Sequence, residues 1–349
     1  MKKIRIGNRL IGESNPVFIV AELSANHLQN YDLAIKTIEA AHKAGADAVK
    51  LQTYTPDTIT LNCDNEYFQI KQGTIWDGKT LYELYEEAYT PWDWQPKLKQ
   101  YAEKLGLECF SSPFDLTAVN FLENMQVSAY KIASFEITDI PLIEYVASKK
   151  KPVIISTGIA YLEDIEEAVK ACRNKGNDDI ILLKCTSAYP TPMNEVNLRT
   201  MPDLAKKFNT LVGLSDHTSG ITLPIAAASL GACLIEKHII FDRSLGGPDS
   251  SFSLEPHEFE MMVKSVREVE EALGTVDYTL SEKIKRNREF SRSLFSICDI
   301  EEGAVFTHEN VRSIRPAFGL APKYLNDILG RKAKHHITKG TPLSWELID

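Results

Sequence analysis

The stretches 17-VFIVAE-22, 31-YDLAIKTIEAAHKAG-45 and 47-DAVKLQT-53 read together as a strand, a helix and a second strand, and this unit decides the fold. The first is rich in Val and Ile and the last carries Val49 and Leu51, as short strands do. In the middle stretch Ala34, Ile38 and Ala41 recur at helical spacing, and Gly45 is placed to end the helix. The same alternation continues downstream. Strand candidates are LECFSS (107–112), AYKIAS (129–134), PVIIST (152–157), IILLKCT (180–186), TLVGLSDH (210–217) and CLIEKH (233–238). Helical patterns lie between them, as in LEDIEEAVKACRNKG (162–176) and ITLPIAAASLG (221–231). A last helix is expected over 256–274, with Pro256 suited to its first turn. Strand–helix alternation argues for parallel strands, and eight strands favour a closed (β/α)8 TIM barrel over an open sheet.

At 349 residues the chain exceeds what one core ordinarily serves, so a second domain is expected. The texture changes near residue 275. We expect a barrel over 1–275, a charged linker over 276–292 and a small domain of short strands over 293–349. The longest insertion, 54–106, is rich in Tyr and Trp and is expected to build part of the barrel rim. A net charge of -9 argues against nucleic acid or an anionic membrane as the main partner. It does not exclude an anionic substrate, because a few local lysines outweigh a global balance. No apolar run reaches the length of a membrane span, and the N-terminal stretch lacks the apolar core of a signal peptide. The six cysteines, at 63, 109, 172, 185, 233 and 298, form no CxxC pair. They read as buried reduced thiols of a cytoplasmic protein.

The chemical signal lies at the strand ends. A parallel strand covered on both faces should be continuously apolar. Here polar residues appear at the C-terminal ends: Glu22, Lys50 with Gln52, Ser112, Lys131 with Ser134, Ser156, Ser187, Ser215 with His217, and Glu236 with His238. The C-terminal mouth is where barrels of this class do chemistry. Residues two apart on a strand share a face, so each of the pairs 50/52, 215/217 and 236/238 points the same way. Taken singly, each residue has an ordinary structural reading. A strand lysine usually reaches solvent or pairs with a carboxylate, and a lone histidine is more often a satisfied core residue than a ligand. Together, two lysines and several hydroxyls suit a phosphate or carboxylate, and His217 and His238 on adjacent strands suit one metal ion. Of the other histidines, His27 in the first loop is expected to line the mouth; the rest read as surface.

The motifs AELSANH (21–27), KLQTYTPD (50–57), CFSSPFD (109–115), YKIASFE (130–136), ISTGIA (155–160), CTSAYPT (185–191), GLSDHT (213–218) and EKHIIFDR (236–243) occur in this order. With it the chain resembles the sialic acid synthase family over nearly its whole length, and within that family the bacterial pseudaminic acid synthases. The tail DIEEGAVFTHENVRSIRP (299–316) resembles the family's C-terminal SAF, or antifreeze-like, domain.

The resemblance implies a transferase that condenses phosphoenolpyruvate with an N-acetylated amino sugar. The acceptor would be 2,4-diacetamido-2,4,6-trideoxy-L-altrose, and the products pseudaminic acid and phosphate. It implies a divalent metal on His217 and His238, manganese first and magnesium or cobalt as alternatives. It assigns phosphoenolpyruvate to Lys50, Ser112, Lys131, Ser134, Ser156, Ser187 and Ser215. The sugar falls to Gln52, Glu136, Tyr189, Asp249 and Arg315, with Glu22 near the reacting centre and Glu236 beneath His238. It also implies a domain-swapped homodimer in which Arg315 reaches the partner's sugar. N-acetylneuraminate and legionaminate synthesis stay open as alternatives. So does a non-catalytic scaffold with a carbohydrate- or ice-binding tail, which the polar strand ends disfavour.

Overall fold

Burial on both faces explains why the strands are so uniformly apolar. The computed structural model describes residues 2–12, 14–71, 73 and 76–349. Among these, an antiparallel hairpin, β1 (Lys3–Ile6) and β2 (Arg9–Gly12), precedes the barrel strands. The barrel is built from β3 (Phe18–Glu22), β4 (Ala48–Thr53), β5 (Glu108–Pro113), β6 (Tyr130–Ile132), β7 (Val153–Ser156), β8 (Ile180–Cys185), β9 (Leu211–Asp216) and β10 (Leu234–His238). All neighbours pair in parallel, and β10 closes on β3 through Leu234↔Phe18 to His238↔Glu22. The eight strands are those expected from the sequence, and the closed barrel is what forms.

The helices are amphipathic in the way the sequence predicts. In α1 (Tyr31–Lys43), Asn30 caps the first turn by accepting from Leu33 N at 3.1 Å, and Ala34, Ile38 and Ala41 are buried. Gly45 follows at φ +86°, a left-handed conformation that favours glycine. The final barrel helix, Pro256–Leu273, buries Phe259, Met262, Val263 and Val266, spaced to share one face.

Three expectations change. The insertion is shorter than 54–106. Gln95–Lys104 is a barrel helix whose Leu98 and Ala102 are buried in the main core, so the added rim lies before it and carries the short helix Pro56–Ile59 and the helix Leu81–Ala88. The fourth barrel strand ends at Ile132, and Ser134 begins a tight turn over Ser134–Glu136. The hairpin, not anticipated above, plugs the end of the barrel away from the mouth. Ile4, Ile6 and Ile11 are buried in the barrel core, and Asn8 N donates to Glu108 Oε1 at 2.9 Å, at the start of β5.

The chain divides into two compact units, Met1–Gly274 and Thr275–Asp349. The second has its own small core, including Leu294, Phe306, Val311, Ile337 and Leu343. Its strands Ser293–Ser296 and Val311–Ile314 pair antiparallel, and a short helix, Glu282–Asn287, lies in the charged segment before them.

Candidate active site

Period-two geometry sorts the polar strand-end residues into two sets. Lys50 and Gln52, Ser215 and His217, and Glu236 and His238 all line one cavity at the barrel mouth, with a volume of about 330 Å³. Their alternates face outward. There Lys237 Nζ donates to Asp216 Oδ2 at 2.7 Å, and both side chains are 0% exposed.

At the floor of the cavity Lys50 Nζ lies 2.6 Å from Glu22 Oε2 and 3.6 Å from Glu236 Oε2, and donates to Ser112 Oγ at 3.4 Å. Burial pushes the Glu22 carboxyl up to about 7; Lys50 opposes this and Glu236 adds to it. Burial acts on Glu236 in the same sense, but Lys131, Lys50 and the 2.9 Å hydrogen bond from Ser215 Oγ outweigh it and hold that carboxyl below its ordinary value.

Lys131 is different. Its side chain is 1% exposed, Nζ donates to Ile132 O at 2.9 Å, and it forms no ion pair among the described residues. Burial lowers its pKa for that reason. Glu236 offsets this in part, but no carboxylate among the described residues lies within ion-pair distance of the ammonium, which therefore suits an anion. Hydroxyl and carboxylate atoms nearby are also left over. Ser156 Oγ and Glu136 Oε2 line the cavity side chains and are buried without a hydrogen-bond partner among the described residues.

The two histidines end adjacent strands, and their ring centroids are 5.2 Å apart. Phe252 packs edge-on against both, and Tyr189 against His217. His217 Nδ1 faces Thr186 O at 3.2 Å, so a proton on Nδ1 leaves Nε2 free to act as a ligand. His238 is held well below its ordinary pKa by burial and by the neighbouring cationic groups, so its imidazole is neutral, and Nδ1 has no hydrogen-bond partner. Two imidazoles, one with an orphaned nitrogen, suit a divalent cation. No group of three or more His, Cys, Asp or Glu among the described residues is placed to hold one. The protein would supply two ligands, and water or substrate the rest, as in an open catalytic site.

A polar chain joins the floor to the rim. Gln52 Nε2 donates to Glu22 Oε1 at 3.2 Å and to Ser24 Oγ at 3.3 Å, and Ser24 Oγ donates to Asp249 Oδ2. Asp249 Oδ2 in turn lies 3.8 Å from His238 Nδ1. Ser24 was not singled out in the sequence. It follows the first strand at φ +44°, and only its partner, 225 positions away, shows its use.

Several sequence-predicted residues are placed otherwise than expected. Glu22 and Ser112 sit behind Lys50 and do not line the cavity, and Ser187 is set back beside Gly158, where an added Cβ would come within 2.2 Å of Ser187 Oγ. Arg315, by contrast, lies in the second unit where the sequence put it, and is exposed. His27 does not line the mouth. It is 2% exposed, with Nε2 3.0 Å from Thr90 Oγ1 and Nδ1 accepting from Gln29 N at 3.1 Å. Burial lowers its pKa to about 4, so it is a neutral tie between the first loop and the insertion.

The cysteines are not uniform buried thiols. Cys298 is exposed, and Cys63 and Cys233 are partly exposed. Cys185 lies in the site, with Sγ 3.7 Å from His217 Nδ1 and 3.5 Å from Ser134 Oγ. Burial pushes Cys109 up to about 12; at Cys185 burial acts the same way, but His217 overrides it and the thiol falls to about 7.

Comparison with known proteins bears on this arrangement. The NeuB family pattern matches residues 37–278 and the SAF domain pattern residues 291–349. The chain is 48% identical over 340 residues to the pseudaminic acid synthase of Campylobacter jejuni subsp. jejuni serotype O:23/36 (strain 81-176), covering 97% of this chain and 98% of that protein. It is 47% identical over 335 residues to the pseudaminic acid synthase of Helicobacter pylori (strain ATCC 700392 / 26695), covering 96% and 98%. Among solved structures it is similar to the N-acetylneuraminic acid (sialic acid) synthetase of Leptospira borgpetersenii serovar Hardjo-bovis in complex with citrate. There the TM-score is 0.72 and the identity 34%, over 82% of this chain and 95% of that one.

Proposed function

This chain belongs to the NeuB family, and from that premise we propose that it condenses phosphoenolpyruvate with 2,4-diacetamido-2,4,6-trideoxy-L-altrose to give pseudaminic acid and phosphate. The likeness to two pseudaminic acid synthases over nearly the full chain supports the acceptor. The observation that carries the chemistry is Lys131, a buried cation without an ion pair among the described residues, lining the same cavity as the unpartnered Ser156 hydroxyl.

In the reaction, C3 of phosphoenolpyruvate bonds to the acceptor's aldehyde carbon, water adds at C2, and the tetrahedral intermediate expels phosphate. Lys131 and Lys50, with Ser134, Ser156 and Ser215, hold the phosphate and carboxylate. A divalent cation, manganese first, would be held by His217 and His238 and would supply Lewis-acid polarisation of the aldehyde. Gln52, Glu136, Tyr189 and Asp249 orient the sugar. Glu22 acts through its contacts with Lys50 and Gln52, fixing the charge of one and the direction of the other. The same reading makes the protein cytoplasmic and a homodimer, with Arg315 serving the partner's acceptor. No helix among the described residues is long and apolar enough to cross a membrane.

The direct test is phosphate release from phosphoenolpyruvate with manganese, comparing the altrose derivative with N-acetylmannosamine. Release with the altrose derivative alone is expected. Release with N-acetylmannosamine alone would move the protein to neuraminate synthesis, and release with neither would sink the condensation unless the legionaminic precursor restored it. In the same assay, chelation should abolish turnover and added manganese restore it. His217→Ala and His238→Ala should each lose manganese binding measured by equilibrium dialysis; unchanged binding in both would remove the metal from this site.

The Glu22 carboxyl sets a pH dependence. Its pKa in the folded protein is raised to about 7, so it is ionised above that pH and protonated below it. Protonation removes the carboxylate that Lys50 and Gln52 rely on. We expect kcat/KM to fall as pH drops through about 7, and the Glu22→Gln variant to be slower and flat across that limb. A wild-type profile that is level from about pH 6 to 8 would dismiss this role.

A further inference from the structure

The cavity has a second character above its charged floor. Ile59, from the short insertion helix, and Leu84, Tyr85 and Ala88, from the helix Leu81–Ala88, line one side of it, together with Phe114 and Phe135. Leu84, Tyr85 and Ala88 are spaced i, i+1 and i+4, so they share the face turned to the cavity. Glu83, Glu86 and Glu87 are exposed, so that helix keeps its charges away from the site. Tyr54 also lines the cavity and braces the wall. It is buried and packs edge-on against Tyr85 and Phe114, with ring centroids 5.5 and 5.1 Å away. At the mouth, Phe135 remains 59% exposed, an apolar ring on the turn that also carries Ser134 and Glu136.

An ordinary satellite core would close on itself. This surface instead faces the space that also holds His217, His238 and Asp249. Phosphoenolpyruvate is anionic and belongs to the lysines and hydroxyls of the strand ends, so the apolar wall is left to the second substrate. A fully hydroxylated sugar would bring hydroxyls against Ile59, Leu84, Ala88, Phe114 and Phe135, which offer no side-chain hydrogen bonds, and that is costly.

We propose that the apolar wall of Ile59, Leu84, Tyr85 and Ala88 from the insertion, with Phe114 and Phe135 from the strand-end loops, is the element that selects the acceptor, by packing against the methyl groups of a deoxygenated, N-acetylated sugar. This rests on the proposed condensation and adds the structural origin of its substrate choice. The wall favours an acceptor with a methyl terminus over one with a terminal hydroxymethyl group.

The test is steady-state kinetics of wild type, Leu84→Asn and the milder Ile59→Thr, with the altrose derivative and with N-acetylmannosamine. Thermal stabilisation by phosphoenolpyruvate is followed in each protein as evidence of an intact floor. In the variants we expect kcat/KM for the altrose derivative to fall about 10- to 200-fold, as for loss of apolar contacts in a selective pocket. The KM for phosphoenolpyruvate should hold, and the discrimination against N-acetylmannosamine should narrow. If wild type turns over the altrose derivative and both variants keep its kcat/KM while retaining stabilisation by phosphoenolpyruvate, the wall is not the selector and the condensation stands. If wild type prefers N-acetylmannosamine, both the wall's role and the proposed acceptor fall.

Discussion

We expect Lys131→Met to lower kcat/KM for phosphoenolpyruvate by about 10²- to 10³-fold in steady-state kinetics, the cost of removing one partner of the buried charge pair formed when the substrate binds. The reason lies in what Lys131 has in the free protein: one hydrogen bond to a carbonyl, no ion pair among the described residues, and 1% exposure. Holding that charge out of water costs stability until an anion arrives. The substitution therefore separates stability from function. The free variant should melt at the wild-type temperature or above it, because methionine fills the space without a buried charge. It should also lose the thermal stabilisation that phosphoenolpyruvate gives the wild type. A variant that is less stable yet still stabilised by phosphoenolpyruvate would show that Lys131 is a structural cation, and the anion site would have to be sought elsewhere.

Asp216→Ala is the corresponding prediction for stability. Asp216 and Lys237 are both fully buried on the outer face of the last two barrel strands, 2.7 Å apart. Asp216 Oδ1 also accepts from Thr218 N at 2.8 Å, and Lys237 Nζ donates to Thr218 O. Truncating the aspartate leaves a buried ammonium with one carbonyl for a partner, which costs about 3–5 kcal/mol. For a chain of this size that lowers the melting temperature by roughly 10 °C. The double variant Asp216→Leu/Lys237→Met removes both charges and should recover most of the loss. Because the pair holds the turn after His217, activity in the single variant should fall as well. A melting temperature within about 2 °C of wild type for Asp216→Ala would mean that the ammonium finds water or another partner.

The contrast between these two lysines shows what can be read from a chain. Lys131 and Lys237 each lie within a short barrel strand, and in sequence each is simply a lysine beside apolar residues. Lys131 stands out as a polar residue near a strand's C-terminal end and also falls in a family motif. That one lines the cavity and the other closes an ion pair follows from which face of the strand each occupies. The pairs 50/52, 215/217 and 236/238 were legible as pairs, because side chains two apart must share a face. Which face they shared was not. His27 shows the reverse case: its place after the first strand suggested the mouth, but Thr90 and Gln29 satisfy both ring nitrogens beneath the insertion. Cys185 gave no signal at all, since its lowered pKa depends on a histidine 32 positions away.

The sequence by itself determined the barrel, the small second unit and the polar mouth. These follow from local rules. Strands covered on both faces must be apolar until they reach the mouth, helices must bury one stripe, and eight repeats of the pair close on themselves. Only the tertiary structure decided how the mouth is divided. It set Glu22 behind Lys50, left Lys131 without an ion pair, joined Ser24 to Asp249, and turned an apolar helix face of the insertion toward the histidines. Each of these joins or separates residues far apart in the chain. Charge state, desolvation and hydrogen bonding depend on such distances, and spacing along a sequence does not encode them.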